Sequence, residues 1–154
     1  MATRYGNSKE YMRLVLELNI RPMPHQSMRF TRQGRSYKPK KIVDYQAYVR
    51  RLVEDQLPGD FKIIEAGTPI VIEKLHYQYA YPSSFSNKRK QQGKIYKATK
   101  PDLQDNLNKA FLDALEGLVY EQDQNIVCIK NLEKYWGEKD KIYLTLNTNA
   151  EETS

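Results

Sequence analysis

Cysteine is all but missing from this sequence. Cys128 stands alone, which leaves no intrachain disulfide, and with only His25 and His76 beside it the chain is short of ligands for a Cys/His zinc site. Long apolar runs are missing too. Nothing approaches the roughly 20 residues that span a bilayer, and the opening MATRYGNSKEYMR lacks the apolar core of a signal peptide. No membrane role and a cytoplasmic location are therefore expected. There is no excess of glycine or proline, 7 of each, and so no sign of a fibrous or low-complexity chain. Acid is missing locally. Residues 29–41, RFTRQGRSYKPKK, carry six Lys or Arg and no Asp or Glu, and residues 84–100, SFSNKRKQQGKIYKATK, carry six more, again without an acid.

Those two stretches hold 12 of the 25 basic residues, in a chain with formal net charge +6. A polyanionic partner suits that distribution better than the net charge alone would argue. At 154 residues and 40% hydrophobic, the chain has length and apolar content for one self-sufficient core. A single domain over 1–154 is expected, with 1–10 and 148–154 flexible.

Periodicity supplies the elements. Leu14, Leu16, Leu18 and Ile20 alternate with polar residues over 11–20, as a half-buried strand requires. Ile42, Tyr45, Val49, Leu52 and Val53 follow helical spacing from Lys41 to Leu57, where Pro58-Gly59 stops the helix. Residues 69–81, with Leu75, Tyr77, Tyr79 and Tyr81 at period two, predict a second strand. Leu103, Leu107, Ala110, Phe111, Ala114, Leu115 and Leu118 predict a second helix ended by Gly117, and strands are expected near 125–135 and 140–147. Both basic stretches read as loops. The result is an α+β fold, a small mixed β-sheet with two amphipathic helices packed on it.

Residues 100–127, KPDLQDNLNKAFLDALEGLVYEQDQNIV, are where the chain stops looking generic. At about 100° per residue, Asp105, Lys109, Asp113 and Glu116 share the helix side away from Leu103, Leu107 and Phe111. Asp102 and Asp105 open the helix, and Asp123 lies just past its end. Phosphodiester hydrolysis needs an activated water and neutralisation of charge on the phosphate, which a hard divalent cation held by a few carboxylates supplies. Lys109, one turn from Asp105, suits contact with the phosphate. Each residue also has an ordinary reading: Asp102 as a helix cap, Asp105 and Lys109 as an i, i+4 pair, Asp123 as a turn residue.

The same run resembles the signature of RusA-type Holliday junction resolvases, K-P-D-x-D-N-L-x-K-A, then x-x-D-A-L-x-G, then a hydrophobic-Y-x-D-D-x-Q-I tail. Here it is carried by Lys100-Pro101-Asp102, Asp105-Asn106-Leu107-Asn108-Lys109-Ala110, Asp113-Ala114-Leu115-Glu116-Gly117 and Tyr120 through Ile126. The resemblance is densest over these residues, and the early strand and the GRSYKP turn extend it. It implies that Asp102, Asp105 and Asp123 bind Mg²⁺, with Mn²⁺ as a substitute, that Lys109 is the catalytic lysine, and that Asn106 orients a carboxylate. Two departures stand out. This chain has two residues, Leu103 and Gln104, where the family has one between its first two acids, and Gln122 replaces the first acid of the tail.

The resemblance further implies paired nicks in branched DNA by a homodimer. Arg29, Arg32, Arg35, Lys38, Lys40 and Lys41 of the first basic stretch, and Lys88, Arg89, Lys90, Lys94, Lys97 and Lys100 of the second, are the candidate phosphate contacts. Gly34, Tyr37, Phe85 and Tyr96 are placed to let a loop reach bases. The Tyr77, Tyr79, Tyr81 face suits either a dimer interface or the monomer core, and His76 and Trp136 read as packing residues. A less selective branch or flap nuclease and a non-catalytic nucleic-acid-binding module are the competing readings.

Overall fold

The computed structural model describes residues 2–5, 11–25 and 29–148. In chain order it has β1 (Ala2–Tyr5), β2 (Tyr11–Leu18), β3 (Arg29–Phe30), β4 (Ser36–Tyr37), α1 (Lys40–Gln56), β5 (Ile70–Ala80), α2 (Asn87–Lys90) and β6 (Ile95–Tyr96). A π-helical turn (Leu103–Leu107) runs into α3 (Asn108–Leu115). A 3₁₀ turn (Asp123–Asn125), β7 (Ile126–Ile129), β8 (Leu132–Gly137) and β9 (Lys141–Asn147) follow.

The larger sheet runs β1-β2-β9-β5-β8-β6, with β7 also on β5. It is mixed: β5 is antiparallel to β9 but parallel to β7 and β8. The alternation in the sequence dictates which face is dry. Leu14, Leu16 and Leu18 stand opposite Leu146, Leu144 and Ile142, which in turn oppose Ile72, Leu75 and Tyr77. All of these join one core with Ile42, Tyr45, Val49 and Val53 of α1 and Ala110, Phe111, Ala114 and Leu115 of α3. Both helices therefore cover one side of the sheet. The α+β architecture is the one the periodicity predicts.

Four boundaries differ from expectation for physical reasons. Residues 2–5, expected to be flexible, pair antiparallel with β2 as an edge strand; residues 6–10 and 149–154 lie outside the described residues. The strand expected over 125–135 is broken at Lys130 and Asn131. Lys130 N–H still donates to Ile72 (2.9 Å) and Leu75 N–H to the Asn131 carbonyl (2.8 Å), so both pieces follow the same edge of β5. The first basic stretch contains a hairpin, β3–β4. The second contains one helical turn, α2, and the short strand β6, which pairs with β8.

The tyrosine face belongs to the monomer. Tyr77 and Tyr79 are buried, and the Tyr77 hydroxyl donates to Asn108 Oδ1 (2.9 Å). That face does not offer a dimer interface. On the opposite face His76 is buried between Tyr135 (Nδ1 to hydroxyl, 3.0 Å) and Asn131, and burial lowers its pKa. Trp136 packs edge-on against Tyr79 and Phe85. Both residues serve packing, as expected.

Candidate active site

The helix that carries the acids begins from an unusual anchor. Lys97 is 7% exposed, with its ammonium over the Tyr79 and Trp136 rings (5.1 and 4.8 Å). It donates to Thr99 Oγ1 (2.7 Å) and to the Lys100 carbonyl, while Lys134 donates to the carbonyls of Thr99 (2.6 Å) and Pro101 (2.7 Å). Two cations thus hold three consecutive carbonyls immediately before Asp102. Burial lowers the pKa of both lysines, and for Lys134 the nearby Asp102 carboxylate opposes that shift.

Asp102 then caps the helix. One carboxylate oxygen accepts the backbone N–H of Asp105 (2.9 Å) and Asn106 (3.1 Å), and the other accepts the Asn106 side-chain amide (2.6 Å). Asn106 thus bonds Asp102 through both its backbone and its side chain. The first turn is wider than α-helical, because Leu107 N–H reaches the Asp102 carbonyl five residues back (3.2 Å) and Asn108 N–H reaches Leu103. This opening turn over Leu103–Leu107 is π-helical, a form found mostly as single turns within α-helices.

Asp105 within that turn, then Lys109 and Asp113 along α3, follow at one-turn intervals and line an open cleft of about 670 Å³. Asn106, Asn108, Gln104, Leu112, His25, Asp123 and Ile126 complete its wall. The chain reverses sharply after α3. Gly117 takes φ +78°, a left-handed conformation that a side chain resists, and its N–H bonds the Tyr120 carbonyl (2.8 Å). Arg50 of α1 satisfies the helix end by donating to the carbonyls of Ala114 (3.0 Å) and Glu116 (2.7 Å). The reversal brings Asp123 back onto the C-terminal half of α3, where Glu116 accepts its backbone N–H (2.8 Å).

Carboxylate oxygens of Asp113, Glu116 and Asp123 consequently lie within 4.8 Å of one another. Burial first, and then the negative charge of Asp123, Glu116 and Asp113, raises the pKa of the Tyr120 hydroxyl, which donates to the Leu112 carbonyl (2.6 Å). Of the acids named from the sequence, Asp105 and Asp123 share the cleft, while Asp102 sits at the helix start. Eight residues of helix, roughly 12 Å of axial rise, separate Asp105 from Asp113.

The family model for endodeoxyribonuclease RusA matches residues 19–147. The chain belongs to the RusA family. The match begins just after β2 and takes in α1, α3, the cleft and the strands from β3 through β9, and it indicates an endodeoxyribonuclease. No curated protein matches the chain as a relative. Within this RusA-family chain, sequence reasoning passed over Asp113 and Glu116 as cation-binding acids. They were visible on the polar helix face, but only the turn at Gly117 places Asp123 beside them. His25 was also passed over. Its backbone N–H donates to the Asn106 carbonyl (2.9 Å), which holds the first loop against the cleft.

The basic residues divide. Arg32, Arg35, Lys38, Lys40, Lys41, Lys88, Arg89, Lys94 and Lys100 are exposed and Lys90 is half-buried; of Arg29 only the backbone is described. Lys97 is a correction to the expected phosphate contacts, since its ammonium is spent on carbonyls inside the fold. Lys94 pairs with Glu133 (2.6 Å). Phe85 is likewise no free base-contact residue, because it packs on Tyr81 and Trp136 with Arg89 stacked over it at 3.8 Å.

Proposed function

We propose that this protein is a Mg²⁺-dependent, structure-specific endodeoxyribonuclease that resolves four-way DNA junctions by paired nicks, leaving 5′-phosphate and 3′-hydroxyl ends. The carrying observation is the cleft itself: Asp105, Lys109, Asp113 and Asp123 line it in a chain of the RusA family. The donor set fits a hard cation. Exposed or half-buried carboxylates within a few ångström of one another, without thiolate or imidazole among them, suit Mg²⁺ or Mn²⁺. Such an ion would supply charge neutralisation and a more acidic water.

Asp102, Asp105 and Asp123 are the metal-binding carboxylates that the family pattern assigns, and Asp113 and Glu116 stand within reach of Asp123. The acids that cluster are Asp113, Glu116 and Asp123, while Asp105 lines the other end of the same cleft. Asn106 holds the Asp102 carboxylate in one orientation, as a partner behind a ligand does. Lys109 projects from the exposed side of α3 between Asp105 and Asp113, placed to meet a phosphate oxygen whose charge grows during hydrolysis. The exposed cations of residues 32–41 and 88–100 gather phosphates around the cleft and release counterions on binding. A twofold dimer would present two such clefts to opposing strands. No helix among the described residues is long and apolar enough to cross a membrane.

The test is cutting of a synthetic four-way junction, a flap and a linear duplex at matched salt, with Mg²⁺ or with chelator. The proposal expects symmetric nicks in the junction, none with chelator, and a loss of about a hundredfold to a thousandfold for Asp123→Asn, the scale of removing a key electrostatic group. Equal rates on all three substrates would indicate a less selective nuclease. Binding without any turnover would indicate a DNA-binding module.

A further inference from the structure

We propose that the β3–β4 ribbon is a base-stacking wedge. On this inference, which rests on the branched-DNA reading above, Phe30 enters the branch point and stacks on an unpaired nucleobase. Arg32, Arg35 and Lys38 neutralise the flanking phosphates.

Among the described residues the ring has no aromatic partner or core contact that would explain its place. Phe30 is 72% exposed, whereas Phe111 is fully buried, Phe61 packs against the core and Phe85 lies in an aromatic cluster. A single exposed apolar side chain is unremarkable on most surfaces. This one sits on a two-stranded ribbon with no core of its own, in which every residue from Phe30 to Lys38 is exposed. Cross-strand partners share a face, so Phe30 opposes Ser36 on one side while Tyr37, opposite Arg29, marks the other.

The ribbon's shape does not depend on the ring. Thr31 N–H donates to the Arg35 carbonyl (2.8 Å), Gly34 N–H to the Thr31 carbonyl (3.0 Å) and Arg35 N–H to Thr31 Oγ1 (3.1 Å). Gly34 supplies the left-handed residue, φ +79°, that a three-residue hairpin loop needs. The chain on either side of the ribbon is tethered to α3 and the turn before it. Upstream, His25 bonds the Asn106 carbonyl. Downstream, Pro39 is buried at the start of α1, and Lys38 donates to Gln46 (3.3 Å), whose amide reaches the Ala110 carbonyl of α3 (2.9 Å). Both anchors thus bond α3 or the π-turn that opens it, the elements that carry Asp105, Lys109 and Asp113.

Charge selects the occupant. No Asp or Glu occurs between residues 29 and 43, so the ribbon presents a flat apolar ring within a field of cations. A nucleobase flanked by its phosphates complements both features, and apolar wedges between base steps are an established way to hold distorted DNA. A branch point offers such a base with the least unstacking cost.

The experiment uses the intact chain and a four-way junction carrying 2-aminopurine at the branch point or, as a control, ten pairs into one arm. Wild type, Phe30→Ala and Phe30→Trp are compared for emission on binding, for affinity to junction and linear duplex at fixed salt, and for cutting in Mg²⁺. Wild type should change the emission at the branch point only. Phe30→Ala should abolish that change and weaken junction binding by about fivefold to a hundredfold. Its duplex affinity should stay within twofold of wild type and its melting temperature should not move, and Phe30→Trp should restore stacking. If wild type cuts the junction while Phe30→Ala keeps the emission change and the affinity, the wedge is overturned and the nuclease reading survives. If wild type neither binds nor cuts the junction, the reading beneath the wedge fails and the wedge falls with it.

Discussion

The two basic stretches carry the same charge, six cations and no acid each, yet the fold treats them differently. The first becomes a ribbon whose side chains from Phe30 to Lys38 all face solvent. The second is sewn onto the sheet. Lys97 is buried against carbonyls, Lys94 pairs with Glu133, Arg89 covers Phe85, and the Tyr81 hydroxyl reaches the carbonyls of Lys90 and Gly93. The difference lies in what surrounds the cations. Aromatic rings and unpaired carbonyls from β5, β8 and the 99–101 turn give the second stretch partners that the ribbon does not have. Charge density in a sequence locates cations, and packing decides which of them remain free to meet a phosphate.

The strongest way to break this comparison is Lys97→Met. If the ammonium is structural, its loss removes the hydrogen bonds to Thr99 Oγ1 and the Lys100 carbonyl and should cost about 1–3 kcal/mol of stability in denaturant unfolding. A variant that melts like wild type but binds DNA more weakly would return Lys97 to the phosphate contacts. Asp102, which follows the lysine clamp, comes next. Asp102→Ala should lose about 1 kcal/mol as a vacated cap, whereas Asp102→Asn keeps the cap and its stability. The family-derived ligand role adds that Asp102→Asn still loses cutting; wild-type turnover by that variant would leave Asp102 as a cap alone.

The first stretch predicts the opposite signature. Arg32→Ala with Arg35→Ala should leave the unfolding midpoint unchanged and reduce the slope of log affinity against log salt by about one for each phosphate no longer neutralised. An unchanged slope would mean that the exposed ribbon does not meet DNA. The smallest effect concerns His76, beside the Lys94–Glu133 pair. Burial favours its neutral ring, so its folded pKa lies below the ordinary 6.5, and Asn131 and Glu133 only partly oppose that. As pH falls below 6.5 the unfolded chain takes up the proton first, and stability declines. Melting at pH 7.5 and 5.5 should show a smaller decline for His76→Gln than for wild type; an equal decline would remove His76 as its source.

Much of the frame was legible because it is periodic. Leu14 through Leu18, the tyrosines of β5 and Ile142 through Leu146 alternate at period two, and α1 shows its stripe over four turns. The polar helix face bearing Asp105, Lys109 and Asp113 could be drawn from spacing alone. The rest depended on encounters between distant residues. The ribbon has strands of only two residues, too short for a pattern. Lys97 reads as a solvated lysine until Tyr79 and Trp136 are brought around it. The π-turn over Leu103–Leu107 has no composition signal. Asp113 and Glu116 join Asp123 only because Gly117 turns the chain back within a few residues.

Cation capture at the cleft tests the central claim most directly. Titrating the wild-type protein and Asp123→Asn with Mn²⁺, and following free ion by electron paramagnetic resonance, should show saturable binding by wild type and at least roughly tenfold weaker binding by the variant, the effect of removing about one charged ligand. Both proteins should melt at the same temperature. Equal Mn²⁺ affinity in the two proteins, or no binding by either, would contradict the account.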